Sequence, residues 1–204
     1  MSEYVKFTYH RASADMAPLE QLAELNACRR NLVDHHLLGV YPNGVGFGNV
    51  SVRDGRTACF YITGSATGGL PELALADCVR VVMYDFARNW LSYEGTALPS
   101  SESLTHAAIY QSDPSVSAVI HCHDPVLWRA LVDRVPTTSK RVAYGTPEMA
   151  CEIMRLFETT DVRSEKIFIM AGHQDGILAF GKNLEDAFKV LMRARERTGQ
   201  RPGN

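Results

Sequence analysis

The chain has 204 residues, 46% of them hydrophobic and 22% charged, with a formal net charge of −2. That is a globular balance with enough apolar residues for a sizeable core. It carries no global field that would favour nucleic acid or an anionic membrane surface, and no apolar run reaches the length of a membrane span. Met1-Ser2-Glu3-Tyr4 lacks the basic-then-apolar pattern of a signal peptide. The five cysteines are scattered and form no Cys-x-x-Cys, which reads as reduced thiols in a cytoplasmic protein. A single domain over 1–204 is expected, with residues 1–16 as an N-terminal extension and 198–204 as a frayed tail.

Tyr4 to Tyr9 reads as a short strand and Pro18 to Leu38 as an amphipathic helix. In the helix Leu19, Leu22, Leu25, Cys28, Leu32 and Val33 recur at helical spacing between Pro18 and Gly39. His35 and His36 near its end are read as offsetting the helix dipole or facing solvent. A glycine-rich approach then leads to a strand from Asn49 to Arg53. Gly48-Asn49 is either a small anion cradle or a tight turn. Cys59 to Thr63 is a further strand, running into Gly64-Ser65-Ala66-Thr67-Gly68-Gly69. That loop is a phosphate cradle or a plain connector, and it is not a Walker loop, because no Gly-Lys-Ser/Thr follows. Cys78 to Tyr84 and Trp90 to Glu94 read as a hairpin.

Pro99-Ser100-Ser101-Glu102 opens a helix to about Gln111. Either serine is placed to cap it, and hydroxyls beside free N–H groups also make an anion site. His106, four residues after Glu102, shares its helix face and is read as structural or as a partner to a ligand. The apolar strand Ser117 to His123 ends in His121-Cys122-His123. Residues two apart on a strand point to one face, so both imidazoles reach one ion while Cys122 points away. Asp124-Pro125 ends that strand and caps a helix to Val132, and Pro147 to Phe157 is helical. Lys166 to Met170 and Gly176 to Gly181 form a hairpin with His173 at its turn, and Asn183 caps a last helix, Leu184 to Arg197. Three histidines leave a tetrahedral metal one open position, as catalytic zinc sites do. Glu102 is a fourth resting ligand, a general base, or both in turn.

On these residues the chain resembles the class II aldolase/adducin family. The likeness runs from about Leu19 to Arg197. It rests on Gly48-Asn49-Val50-Ser51, Ile62-Thr63-Gly64-Ser65, Pro99-Ser100-Ser101-Glu102, His106, Asp113-Pro114, Ala118 to His123, and His173 followed by Leu184-Glu185-Asp186-Ala187. The resemblance implies an α/β fold: a three-layer α/β/α sandwich around a mostly antiparallel central sheet. It also implies a homotetramer with active sites between subunits. It assigns His121, His123 and His173 as zinc ligands, Glu102 as the acid/base, and Asn49, Thr63, Ser65, Ser100 and Ser101 as contacts to a substrate phosphate. Zinc is the implied cofactor, although imidazoles also accept other divalent metals.

The implied reaction is retro-aldol cleavage of a small phosphorylated sugar through a zinc-stabilised enediolate. The alternatives are a metal-dependent decarboxylase or dehydratase on the same scaffold, or a non-enzymatic adducin-like binding module. Glu102 itself resembles the aldolase branch. Three features depart from the pattern. The Gly64–Gly69 loop is longer. The segment from His123 to Gly145 is shorter and lacks the loop with the family's catalytic tyrosine, and Tyr144 does not align as its replacement. The third histidine is followed by Gln174-Asp175-Gly176 where the family has His-Gly, and Asp175 is read as shaping a turn.

Overall fold

The computed structural model describes residues 5–199. In chain order its strands are β1 (Thr8–Ser13), β2 (Gly39–Val40), β3 (Gly46–Phe47), β4 (Asn49–Arg53), β5 (Phe60–Thr63), β6 (Cys78–Asp85), β7 (Trp90–Glu94), β8 (Ala118–His123), β9 (Ile167–Ile169) and β10 (Gly176–Gly181). The helices are α1 (Leu22–Asp34), α2 (Ser103–Ser112), α3 (Pro125–Leu131), α4 (Pro147–Thr159), α5 (Val162–Glu165) and α6 (Leu184–Arg197). Eight strands form one sheet in the order β1-β7-β6-β5-β4-β8-β10-β9, and β2 and β3 form a separate short ribbon. Every pairing in the large sheet is antiparallel except β1 with β7.

Period-two alternation divides the strands between two cores. Phe60, Ile62, Val79, Val81, Val119, Leu178 and Phe180 lie on the face covered by α2 and α4. Val50, Val52, Tyr61, Ile120, Cys122, Ile177 and Ala179 lie on the face covered by α1, α3 and α6. The architecture is therefore the expected α/β/α sandwich around a mostly antiparallel sheet. In β8, Cys122 belongs to the α1/α6 side, so His121 and His123 project on the α2/α4 side.

Several boundaries differ from expectation. The first strand is Thr8–Ser13, not Tyr4–Tyr9, and Tyr4 lies outside the described residues; so do residues 200–204 of the expected tail. Val5 and Phe7 are core residues, while the strand that follows is almost wholly exposed and is held by main-chain pairing to β7. Helix α1 is shorter than Pro18–Leu38. His36 at φ 57° turns the chain out of the helix, and Leu37 and Leu38 are buried after that turn. Helix α2 starts at Ser103, with Glu102 in the N-cap position and no side-chain cap. Ser100 instead folds its hydroxyl back to accept from the Glu102 N–H at 3.3 Å. The Asp124 and Asn183 caps form as expected: Asp124 Oδ1 accepts from Val126 and Leu127 N–H, and Asn183 Oδ1 from Asp186 N–H.

Candidate functional site

Three elements carry the site. Strand β8 supplies His121 and His123, the β9–β10 turn supplies His173, and the register sets Asn49 of β4 directly across from His121. The turn is held by paired main-chain bonds, His173 N–H to Met170 C=O and Gly176 N–H to His173 C=O. Asp175 occupies the left-handed region at φ 64°, a conformation that Asp tolerates. It thus shapes the turn. Gly48, at φ 78°, lets the preceding segment cross the end of β8, where a Cβ would meet the His121 carbonyl oxygen at 3.1 Å.

The imidazoles converge through their Nε2 atoms. His123 Nε2 lies 3.1 Å from His121 Nε2 and 2.9 Å from His173 Nε2, and the three ligand atoms all lie within 4.8 Å of one another. The outer nitrogens are tied back. His121 Nδ1 donates to the Ile177 carbonyl at 3.3 Å, and His123 Nδ1 pairs with the Tyr41 hydroxyl at 2.7 Å. An Nδ1–H engaged in this way leaves the Nε2 lone pair for the centre, which is how ligating histidines are oriented. Burial is the main cause that lowers all three pKa values, His121 well below the usual imidazole range, His123 to about 4 and His173 to about 3. Near neutral pH the trio is uncharged, as metal ligation requires. Among the described residues these histidines form a group able to hold a divalent metal ion, and no carboxylate belongs to that group.

Glu102 is 2% exposed, and burial raises its pKa to about 7, against smaller opposing effects of the Thr105 hydroxyl and the Lys6 ammonium. Neither carboxylate oxygen has a hydrogen bond of full geometry. Asn49 Oδ1 and His106 Nε2 are likewise buried and unpartnered. Buried polar atoms are ordinarily satisfied, so this concentration of unmet donors and acceptors marks a place built for something else.

The predicted phosphate contacts are brought together in part. The Ser65 hydroxyl donates to the Pro99 carbonyl at 2.8 Å and the Ser65 N–H to the Leu98 carbonyl, which pins the Gly64–Gly69 loop against the segment leading to Ser100 and Ser101. Arg29, almost wholly buried, donates to the carbonyls of Thr67 and Leu70 and holds the far side of that loop. Thr63 alternates to the other face of the sheet, with its hydroxyl accepting from Val50 N–H at 3.3 Å. Thr63 therefore anchors the start of the loop and does not line the histidine face.

Two tyrosines contact the histidines; Tyr41 escaped the sequence reading, and Tyr144 was set aside there as not aligning with the family's tyrosine. Tyr41 holds His123, and its ring packs on Phe47 at 4.4 Å between centroids. The Tyr144 ring meets that of His173 at 4.3 Å, and Lys6 Nζ sits 3.4 Å from the centroid of the same ring. Both tyrosines come from irregular segments whose return to the histidines is a long-range event, and a solitary aromatic in a glycine-rich turn was the only local signal.

Comparison with known proteins agrees with the fold. The family model for the Class II Aldolase and Adducin N-terminal domain matches residues 37–197. An L-fuculose phosphate aldolase from Methanocaldococcus jannaschii is 27% identical over 157 residues, covering 69% of this chain and 76% of its own length. A solved L-fuculose 1-phosphate aldolase superposes with a TM-score of 0.68 at 26% identity, over 91% of this chain and 85% of the other. The L-fuculose-1-phosphate aldolase structure from Thermus thermophilus shares the fold at 19% identity, with a TM-score of 0.62 over 87% and 90% of the two chains.

Proposed function

The chain belongs to the Class II Aldolase and Adducin N-terminal domain family, and from that premise we propose that it is a zinc-dependent lyase cleaving a small phosphorylated sugar by a retro-aldol reaction. The observation that carries this reading is the convergence of three imidazole Nε2 atoms, in a chain whose buried Glu102 carboxylate lacks a hydrogen bond of full geometry. A divalent ion held by His121, His123 and His173 supplies Lewis-acid stabilisation of negative charge on substrate oxygens.

The chain's own residues do the rest. Retro-aldol cleavage moves one proton from the hydroxyl of the departing aldehyde to the carbon left behind, while the C–C bonding pair stays with the carbonyl fragment. Glu102 is the group that hands the proton to that carbon and, in the reverse direction, removes it. A carboxyl whose pKa lies near 7 both gives and takes a proton at neutral pH. Asn49, Ser65, Ser100 and Ser101 bind the phosphate, with Thr63 anchoring the loop that carries Ser65. A homotetramer with active sites between subunits is part of this proposal, and exposed Val40, Tyr41, Leu70 and Leu98 offer apolar surface for contacts between subunits. Five free cysteines accord with a cytoplasmic protein, and no described helix is long and apolar enough to cross a membrane.

The test is product analysis on a panel of ketose 1-phosphates. Triose phosphate released by untreated protein, lost on chelation and restored by zinc, is the expected result. Carbon dioxide or water loss without triose phosphate would replace the aldolase with the decarboxylase or dehydratase reading of the same site.

A further inference from the structure

Ser51, on the histidine face of β4, stands between two side chains of α2. Its hydroxyl is 2.7 Å from His106 Nδ1 and 2.8 Å from the Tyr110 hydroxyl, and all three residues are 2% exposed or less. Among the described residues these are the side-chain hydrogen bonds that link the three, and a hydroxyl has only one proton to give. Two tautomers of His106 fit these bonds. In one, His106 Nδ1–H donates to Ser51, and Ser51 either donates to Tyr110 or accepts from it. One hydroxyl proton, that of Tyr110 or of Ser51, then has no acceptor among these three side chains, and His106 Nε2 is a bare lone pair. In the other, Tyr110 donates to Ser51, Ser51 donates to His106 Nδ1, and the imidazole proton sits on Nε2.

The surroundings of Nε2 decide between them. His106 Nε2 has no partner, and with Glu102 ionised the other unpartnered atoms at this site are all acceptors: Asn49 Oδ1 and both oxygens of Glu102. Asn49 precedes Ser51 by two residues on the same strand face and pairs with His121 in register. Glu102 lies one helical turn before His106, whose N–H donates to the Glu102 carbonyl at 3.0 Å. His106 also acts electrostatically on His121. The Nε2–H tautomer thus adds a donor to a site whose other unpartnered buried atoms are acceptors when Glu102 is ionised, whereas the opposite tautomer would add one more lone pair.

We infer that His106 is a positioning residue: the Tyr110–Ser51 relay fixes its proton on Nε2, and that Nε2–H orients the ionised Glu102 carboxylate through one water. The catalytic consequence rests on the lyase reading above; the tautomer does not. Glutamine reproduces an N–H at the Nε2 position, and asparagine reproduces a group at Nδ1, so the two replacements separate the roles. His106→Gln is expected to keep kcat within about 10-fold, and His106→Asn to lower it about 100-fold with KM little changed. A role confined to the Ser51 bond requires the reverse order.

The tautomer is read separately, by ¹H–¹⁵N NMR of the side chain in the wild-type protein, which needs neither a variant nor activity. An unprotonated Nδ1 is expected, with mixed tautomers in Tyr110→Phe. A protonated Nδ1 in the wild type, or His106→Asn as active as His106→Gln, overturns the inference. If the wild type shows the Nε2–H tautomer yet cleaves no sugar phosphate, the relay stands and the lyase reading falls.

Discussion

Two groups of charged and polar side chains sit on the sheet, and they are built on opposite terms. On the outer half, Arg80 donates through Nε and Nη2 to Asp54 at 2.8 and 2.6 Å and through Nη1 to Glu94 at 3.0 Å, so its three nitrogens are all used. Around β4, β8 and α2, by contrast, Glu102, Asn49 and His106 keep buried atoms without partners, and three neutral imidazoles crowd their Nε2 atoms together. Side chains of similar chemistry are satisfied in one place and not in the other. The first arrangement contributes stability. The second costs stability unless a ligand completes it.

Substitutions should separate the two regions sharply. The largest effect is expected from His121→Ala, which removes one of the three converging imidazoles: bound metal and activity are both lost, by elemental analysis and product assay, while the folded sheet persists by circular dichroism. Glu102→Gln comes next. Removing the proton-transfer group lowers kcat by about 10²–10⁴-fold and leaves metal content unchanged.

The Glu102 variant should also gain stability in alkaline, metal-free conditions, and the sign is checkable. The Glu102 pKa is about 7 in the folded protein against an ordinary value of 4.5, so folding is penalised where the unfolded chain has released this proton and the folded one must follow. The penalty grows as pH rises from about 4.5 to 7 and is complete above. Its upper bound is about 3.5 kcal/mol, since each tenfold change in proton affinity is worth about 1.4 kcal/mol. Denaturant unfolding at about pH 8 and about pH 5 should show the gain at the first only. The histidines run the other way. Their folded pKa values lie below 6.5, so the unfolded chain binds more protons as pH falls through 6.5 toward 4, and the metal-free protein loses stability there.

Smaller effects sharpen the contrast. Tyr41→Phe leaves His123 Nδ1 without its hydroxyl partner and should weaken metal affinity by about 10–100-fold, measured by competition with a chelator. Arg80→Met should do the opposite. It strands two carboxylates and lowers stability by about 1.5–3 kcal/mol in urea unfolding, with metal content and kcat unchanged.

The histidine site was legible because its key parts are local. His121 and His123 are fixed by strand alternation, His173 by a hairpin between two apolar runs, and the Asp124 cap by its neighbour Pro125. The edge strand β1 was misplaced because its exposed polar sequence carries no alternation, and its parallel pairing with β7 joins residues about 80 apart in sequence. Tyr41 was missed, and Tyr144 set aside, for a similar reason, since irregular segments deliver them. The Tyr110–Ser51–His106 relay lay nearer to hand. Ser51 shares a strand face with Asn49, and Tyr110 follows His106 by one helical turn, but only the packing of α2 on β4 joins them.

The most direct test of the account is the metal content of the purified protein after stripping and reconstitution with zinc. About one ion per chain, abolished by His121→Ala and unchanged by Glu102→Gln, is the predicted result. No retained metal in the reconstituted wild type would contradict the reading of the three histidines as a metal centre, and with it the proposed lyase chemistry.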